Sequence, residues 1–451
     1  MKRICVSAGL VALGAVAAHA QYAPGLSYLE TSKPWSLSAS IRGFYDDNYL
    51  TLPKSYAAIN PSTGLSEYLH PRDSYGVELS PAIYYNHSVE NTLLSASYVY
   101  DLHWYEDRDG TLDQTHMFNA MMDHEFSERY KLILNESFVV SQDPGVINPA
   151  VSSMPLRVPG SNIRNTSTAD FSMVLSQLFD VHVGYVNSLY YYQQTATDEP
   201  VTPANRYPSY QALLNRMDQT ASVDLRWKAA PETTGVLGYS FENLAYTSHE
   251  DIIFSSSADF FNGPGHSRAN SRNSDTSFVY IGADESFTPK LNGSIRAGGE
   301  YIDYYNYDSH NISPYVDASL TYQYMPQSTA QFGIKELHNA TDVVGVGASP
   351  TLDEESTYVY FSVSHRVTSR FTASALASAQ YSTFNGGTSD NEGENFYNVN
   401  LNLAYHFTLW LTGEAGYAYT KLNEVANDSG AALTGRGYTR DMVYLGVRAT
   451  Y

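Results

Sequence analysis

Residues 397–407 read Tyr-Asn-Val-Asn-Leu-Asn-Leu-Ala-Tyr-His-Phe, and they decide the fold. Tyr397, Val399, Leu401, Leu403, Tyr405 and Phe407 share one parity. Asn398, Asn400, Asn402, Ala404 and His406 share the other. Successive side chains on a strand point to opposite faces, so this segment has one greasy face and one wet face. The same period recurs just downstream, over Leu409 to Thr420, and earlier, over Ala221 to Lys228. Further segments of this kind start near Trp35, Val77, Leu94, Phe118, Phe171, Leu237, Val279, Leu291, Val316, Phe332, Val359 and Phe371, with less regular ones near Leu132 and Val181.

The connections alternate as well. Very short turns fall at Ser88–Asn91, Ser127–Arg129, Thr288–Lys290, Pro326–Ser328 and Thr368–Ser369. Between them lie longer stretches rich in Gly, Pro, Asn, Asp and Ser: residues 52–71, 144–163, 198–215, 251–271 and 423–437. Short turns on one side and long loops on the other describe an antiparallel up-and-down transmembrane β-barrel, all-β, with short periplasmic turns and long extracellular loops. About eighteen strands, within a range of roughly 16–20, fit the length and put both termini on the short-turn side. A closed sheet satisfies every backbone N–H and C=O without an edge, which hydrocarbon demands. Tyr-rich strand ends (Tyr84-Tyr85, Tyr190-Tyr191-Tyr192, Tyr304-Tyr305) suit an interfacial girdle, where a ring meets lipid and a hydroxyl meets water.

Composition agrees. The 451 residues include 39 tyrosines, yet only 16% are charged against about 25% in ordinary globular domains. Mean hydropathy is −0.32, and no apolar run beyond the first twenty residues nears the roughly 18 that a spanning helix needs. A net charge of −21 disfavours nucleic acid as a partner. Lys2 and Arg3, an apolar core from Ile4 to Ala18, and Ala18-His19-Ala20 form a secretory signal peptide over residues 1–20. Its removal leaves 24 basic and 47 acidic residues, a net of −23, and takes away Cys5, the sole cysteine. The expected organisation is signal peptide 1–20, a short N-terminal periplasmic segment 21–34, and the barrel 35–451.

The chain ends Val443-Tyr-Leu-Gly-Val-Arg-Ala-Thr-Tyr451. Leu445, Val447, Ala449 and Tyr451 share a face, and the final residue is aromatic. This resembles the terminal strand that the barrel assembly machinery recognises in outer-membrane proteins, though Phe is the usual ending. With the signal peptide and the alternating strands, the whole mature chain resembles a Gram-negative outer-membrane β-barrel, similar to the families named putative β-barrel porins. That resemblance implies a pore for small hydrophilic solutes in an outer membrane of lipid and lipopolysaccharide; trimers are usual among porins, so a homo-oligomer is the expectation by analogy.

If greasy faces meet lipid, the opposite parity lines the lumen. The acidic candidates are Glu78, Asp101, Asp123, Glu125, Asp170, Asp224, Glu242, Asp284, Glu300, Asp317 and Glu414. The basic ones are Arg42, Arg226, Lys228, Arg296, Lys335, Arg366, Arg370 and Arg448. So many charges do not pack in a dry core without partners, whereas a wide wet lumen accommodates them. The acidic excess points to weak cation preference. Residues 144–163 or 251–271 could fold inward as a constriction, and the sequence does not choose between them. Asp107–Asp113 resembles part of a calcium loop but lacks the completing Glu. No His-Glu-x-x-His or Gly-x-Ser-x-Gly is present, so no cofactor, metal or enzymatic activity is expected. The expected function is a passive channel; its rivals are an exopolysaccharide export pore, and a structural or adhesive barrel with a plugged lumen.

Overall fold

The computed structural model describes residues 34–53, 56–59, 66–108, 112–142, 161–193, 209–253, 267–343, 350–425 and 437–451. The signal peptide and most of the expected periplasmic segment lie outside them. From the N-terminus run β1 (Trp35–Asp46), a small hairpin of β2 (Tyr56–Ile59) and β3 (Ser66–Leu69), then β4 (Ser74–Val89), β5 (Thr92–Tyr105), β6 (Leu112–Ser127), β7 (Tyr130–Ser141), β8 (Asn162–Val174) and β9 (Phe179–Tyr192). A one-turn helix α1 (Tyr210–Leu214) precedes β10 (Arg216–Lys228) and β11 (Thr233–Tyr246). A second small hairpin, β12 (Asp251–Ile253) and β13 (Ser267–Arg268), leads to a 3-10 turn at Ala269–Arg272. Then come β14 (Ser274–Thr288), β15 (Leu291–Tyr304), β16 (Ser309–Met325), β17 (Ser328–Asn339) and β18 (Asp353–Arg366). The last strands are β19 (Phe371–Asn385), β20 (Gly393–His406), β21 (Leu411–Val425) and β22 (Tyr438–Thr450).

Eighteen of these strands form one antiparallel sheet, and β22 pairs with β1 to close it. Among the described residues no helix is long and apolar enough to cross a membrane. Closure is sealed at the C-terminus. Tyr451 donates its N–H to Leu37 O at 2.8 Å and accepts the Leu37 N–H at 3.1 Å. The Trp35 and Tyr451 rings lie 5.8 Å apart.

Alternation sorts the two faces as expected. Along β1, Leu37, Ile41 and their parity are exposed, while Ser36, Ser38, Ser40 and Arg42 are buried inward. In β20, Leu401 and Leu403 point out and Asn398, Asn400 and Asn402 point in. Leu445, Val447 and Tyr451 are all exposed on the outer surface. The strand near Leu409 begins two residues later, at Leu411; Leu409 and Trp410 sit exposed in the turn. The tyrosine pairs correct the girdle reading. Adjacent residues on a strand cannot both face lipid, so Tyr85 and Tyr191 are exposed while Tyr190 and Tyr192 are buried; Tyr304 is buried at the end of β15 and Tyr305, in the turn beyond it, is exposed.

Four inward aromatic rings lie flat on cross-strand glycines: Phe44 on Gly76, Tyr280 on Gly238, Tyr360 on Gly333 and Tyr444 on Gly416. A Cβ at any of these glycines would fall 2.1–2.3 Å from a ring carbon. The ring covers backbone that no side chain shields, a pairing that fixes register.

Candidate functional site

The inner wall is wired by ion pairs, some between adjacent strands and some across one intervening strand. Arg42 on β1 meets Glu78 on β4 at 2.5 Å and Glu414 on β21 at 2.7 Å. Arg448 on β22 meets the same Glu414 at 2.9 Å. All three members of the first trio are at most 3% exposed. His103 approaches Glu78 and Asp101 at 3.7 and 4.0 Å. Across the lumen wall from this trio, Arg226 and Arg296 share Asp284 at 2.7 and 2.9 Å. Tyr280 donates its hydroxyl to Asp224 at 2.6 Å. Lys131 pairs with Asp123, Lys335 with Asp317, and His338 with Glu300. Neighbouring strands bring most of these pairs together, and Arg42–Glu414, Arg226–Asp284 and His338–Glu300 reach across one strand because inward side chains converge on the concave face of the wall.

The charges do not cancel everywhere. Asp170 and Glu242 face inward with no basic side chain at ion-pair distance among the described residues, while the inward bases Arg42, Arg226, Arg296, Lys335 and Arg448 each hold an acid. Asparagine and glutamine fill the neutral sector. Asn400 donates to Asn398 at 3.0 Å, Tyr444 to Asn402 at 2.5 Å, and Gln380 to Glu354 at 3.0 Å.

The long-loop end is narrowed by three segments that pack together. They are α1, the 3-10 turn at Ala269–Arg272, and residues 340–343 after β17. Their apolar core joins Ala212, Leu213, Leu214, Ile252, Ala269 and Ala340 to Tyr192 and Tyr246 at the strand ends. Arg272 sits at the centre, 1% exposed. It donates to Thr341 O at 2.9 Å and Leu213 O at 2.8 Å, and its guanidinium lies 4.1 Å from the centre of the Tyr246 ring. Burial pushes its pKa down from the ordinary arginine value. Hydrogen bonds from a charged donor contribute about 1.5–3 kcal/mol each, and a desolvated cation–π contact about 2. Together these offset the several kcal/mol that burying an ion costs. Ser209 caps α1 by accepting the Ala212 N–H at 3.0 Å. Asn215 and Asn273 accept the N–H groups that end β9 and β11, from Tyr192 at 2.6 Å and Tyr246 at 2.8 Å.

The sequence candidates fall as follows. Arg42, Glu78, Asp101, Asp123, Glu125, Asp170, Asp224, Arg226, Lys228, Glu242, Asp284, Arg296, Glu300, Asp317, Lys335, Glu414 and Arg448 occupy inward parity on barrel strands. Arg366 has inward parity at the short-turn rim and ties down that rim, bonding Thr368 O and Ser369 O at 3.3 and 3.0 Å. Arg370 is a correction. It is exposed in the turn between β18 and β19, beyond the end of the strand, so alternation does not apply to it. Of the two proposed constriction loops, residues 143–160 lie outside the described residues; the described ends of the other, Asp251–Ile253 and Ser267–Arg272, join the mouth cluster. Residues 109–111 of the calcium-like segment also lie outside, and its flanks are an ion pair, Arg108–Asp113 at 2.5 Å. Sequence reading missed Arg216 and Arg440, which strand parity could have found, and Arg272, which has no periodic neighbour to mark it.

Residues 261–451 match the family model described as "Putative beta-barrel porin 2". The chain is similar to the β-barrel porins of that family. No curated protein matches the sequence. Among solved structures, the FrpB iron transporter of Neisseria meningitidis (F5-1 variant, apoprotein form) is 9% identical with a TM-score of 0.43, over 94% of this chain and 82% of that one. OccK3 (OpdO) of Pseudomonas aeruginosa is 10% identical with a TM-score of 0.40, over 92% and 95%. At that distance these structures lend nothing about cargo.

Proposed function

We propose that this protein is a passive outer-membrane channel for small hydrophilic solutes, with weak preference for cations. One observation carries the reading: a closed eighteen-stranded barrel has an apolar outer surface and an inner wall of paired and unpaired charges. A barrel of this strand number is wide enough to hold water. The cation preference rests on the acidic excess among the inward side chains, in which Asp170 and Glu242 have no basic side chain at ion-pair distance while Arg42, Arg226, Arg296 and Lys335 each hold an acid. The reading is non-enzymatic. It places the mature chain in the outer membrane of a Gram-negative bacterium after cleavage of residues 1–20.

The mouth cluster around Arg272 favours a second reading, a barrel whose lumen is plugged and whose loops bind other surfaces. One experiment separates them: single-channel recording of the refolded mature chain in a planar bilayer across a tenfold KCl gradient. Stable open steps with a cation-sign reversal potential support the channel. An anion-sign potential removes the cation preference. Inserted barrels without conductance leave the plugged reading.

A further inference from the structure

The ladder between β16 and β17 stops short of the mouth. Its last pair is Val316 with Glu336, although β16 begins at Ser309 and β17 runs on to Asn339. Residues 309–315 still pair with β15 but have no partner on β17. Proline is the local cause. Backbone groups alternate sides along a strand, and Gln323 gives its N–H to Lys290 O on the β15 side. Pro314 has the opposite parity, so its nitrogen faces β17 and has no hydrogen to donate. Side chains close the seam instead. Ile312 gives its N–H to Asn311 Oδ1 at 2.8 Å, and His338 gives its N–H to Glu300 Oε1 at 3.2 Å.

The same side chains stand in a catalytic order. Glu300 Oε1 lies 2.6 Å from His338 Nδ1, and Ser313 Oγ lies 3.3 Å from His338 Nε2. A carboxylate only accepts, so Nδ1 carries the imidazole proton and Nε2 keeps its lone pair. Ser313 therefore donates its hydroxyl to Nε2. Nucleophile, base and orienting acid relate as they do in serine hydrolases, where geometry rather than sequence order defines the triad. Asn311 shares the face of β16 with Ser313, and its Nδ2 lies 3.3 Å from the same Nε2. That amide is a donor beside the nucleophile, where a carbonyl oxygen under attack gains charge. Glu300 and Ser313 are 2% and 6% exposed, which strengthens these interactions by keeping bulk water away.

We propose that Ser313, His338 and Glu300 hydrolyse carboxylic esters that carry an apolar acyl chain. The acyl preference follows from the lips of the seam. Ile312 and Tyr301 are cross-strand partners on the outer face, 73% and 46% exposed. On the inner face Ile302, Tyr304 and Leu352 pack together on the mouth side of Glu300. Ser313 Oγ attacks the ester carbonyl carbon while its proton passes to His338 Nε2. The tetrahedral oxyanion collapses, the C–O bond to the alcohol breaks, and His338 returns the proton to the leaving oxygen. Water then attacks the acyl-serine and gives a proton to Nε2. Collapse releases the carboxylic acid and restores the Ser313 hydroxyl. The channel reading assigns these three groups no chemistry, and hydrolysis does not depend on conduction.

The test uses the full mature chain, refolded in mild detergent, with heat-modifiable migration verifying that each variant is a folded barrel. A fluorophosphonate, which phosphonylates activated serines, should add a single adduct that peptide mass spectrometry places on Ser313. The chain should cleave p-nitrophenyl laurate with a larger kcat/KM than p-nitrophenyl acetate. Ser313→Ala should abolish the adduct and lower kcat/KM by at least about a hundredfold. Ser240→Ala, at an inward serine of β11, should change neither. Glu300 is a positioning residue: Glu300→Gln should lower kcat with KM near wild type, whereas a role confined to closing the seam would leave kcat unchanged. A folded wild type with neither adduct nor turnover, or turnover that survives Ser313→Ala, would overturn the proposal. Faster cleavage of the acetate would overturn the acyl-chain assignment and point to small esters arriving from the lumen.

Discussion

Gly416 owes its place to the ring above it. Tyr444 lies across it and hydrogen-bonds Asn402, a contact possible only while no Cβ intervenes. Gly416→Val should displace the ring, break that bond and destabilise the barrel by about 1–3 kcal/mol through overpacking. Urea titration followed by tryptophan fluorescence measures it, and Tyr444→Leu should remove most of the effect of a second substitution at Gly416. Glu414 is a different kind of residue, a carboxylate shared by two arginines. Glu414→Gln keeps the shape and strips the charge, leaving Arg42 with Glu78 and Arg448 without that acid. Removing one partner of a buried pair costs about 3–5 kcal/mol. The released positive field should also lower the cation-to-anion permeability ratio severalfold, read as a reversal-potential shift toward the anion sign.

Strands and loops divide the work between holding the wall and closing its end. β22 completes the cylinder, and Tyr451, the residue after it, exchanges two backbone hydrogen bonds with Leu37. Deleting Tyr451 removes that pair and the ring contact with Trp35; the yield of heat-modifiable barrel in outer membranes should fall well below wild type, by quantitative immunoblot. At the opposite end, three of the described segments pack together at the mouth. Arg272 fastens them through the carbonyls of Leu213 and Thr341. Arg272→Met preserves length and apolar bulk but leaves those carbonyls unpaired. In bilayer recordings it should raise mean conductance and add flicker between levels, as the segments separate. Unchanged conductance and noise would mean that the cluster does not limit the path. The apolar contacts among Leu213, Leu214, Ile252 and Tyr246 remain in that variant, so the wall itself should keep its stability.

The whole molecule couples an acidic chain to a closed wall. With a net charge of −21 in the full sequence, its exposed carboxylates attract cations at a distance that salt screens: about 10 Å at 0.1 M and 3 Å at 1 M. Cation preference should therefore shrink as KCl rises toward 1 M. On the proposed reading, the part that persists comes from inward acids without a basic partner, so Asp170→Asn/Glu242→Gln should reduce the preference left at high salt. The alternation in residues 397–407 and its repeats determined the fold class, the strand number and the inward parity of nearly every charged candidate, because a strand's side-chain period is set by local backbone geometry. Arg370 escaped that rule, since one residue past a strand end the period no longer holds. The tyrosine pairs were legible only after parity was applied to each ring. Tertiary structure alone decided which charges meet, because those pairs join residues as distant in sequence as Arg42 and Glu414. It also decided that Arg272 reaches the mouth and that Glu300, Ser313 and His338 meet where the β16–β17 ladder ends. Register between strands is a property of the closed sheet, and no single strand carries it.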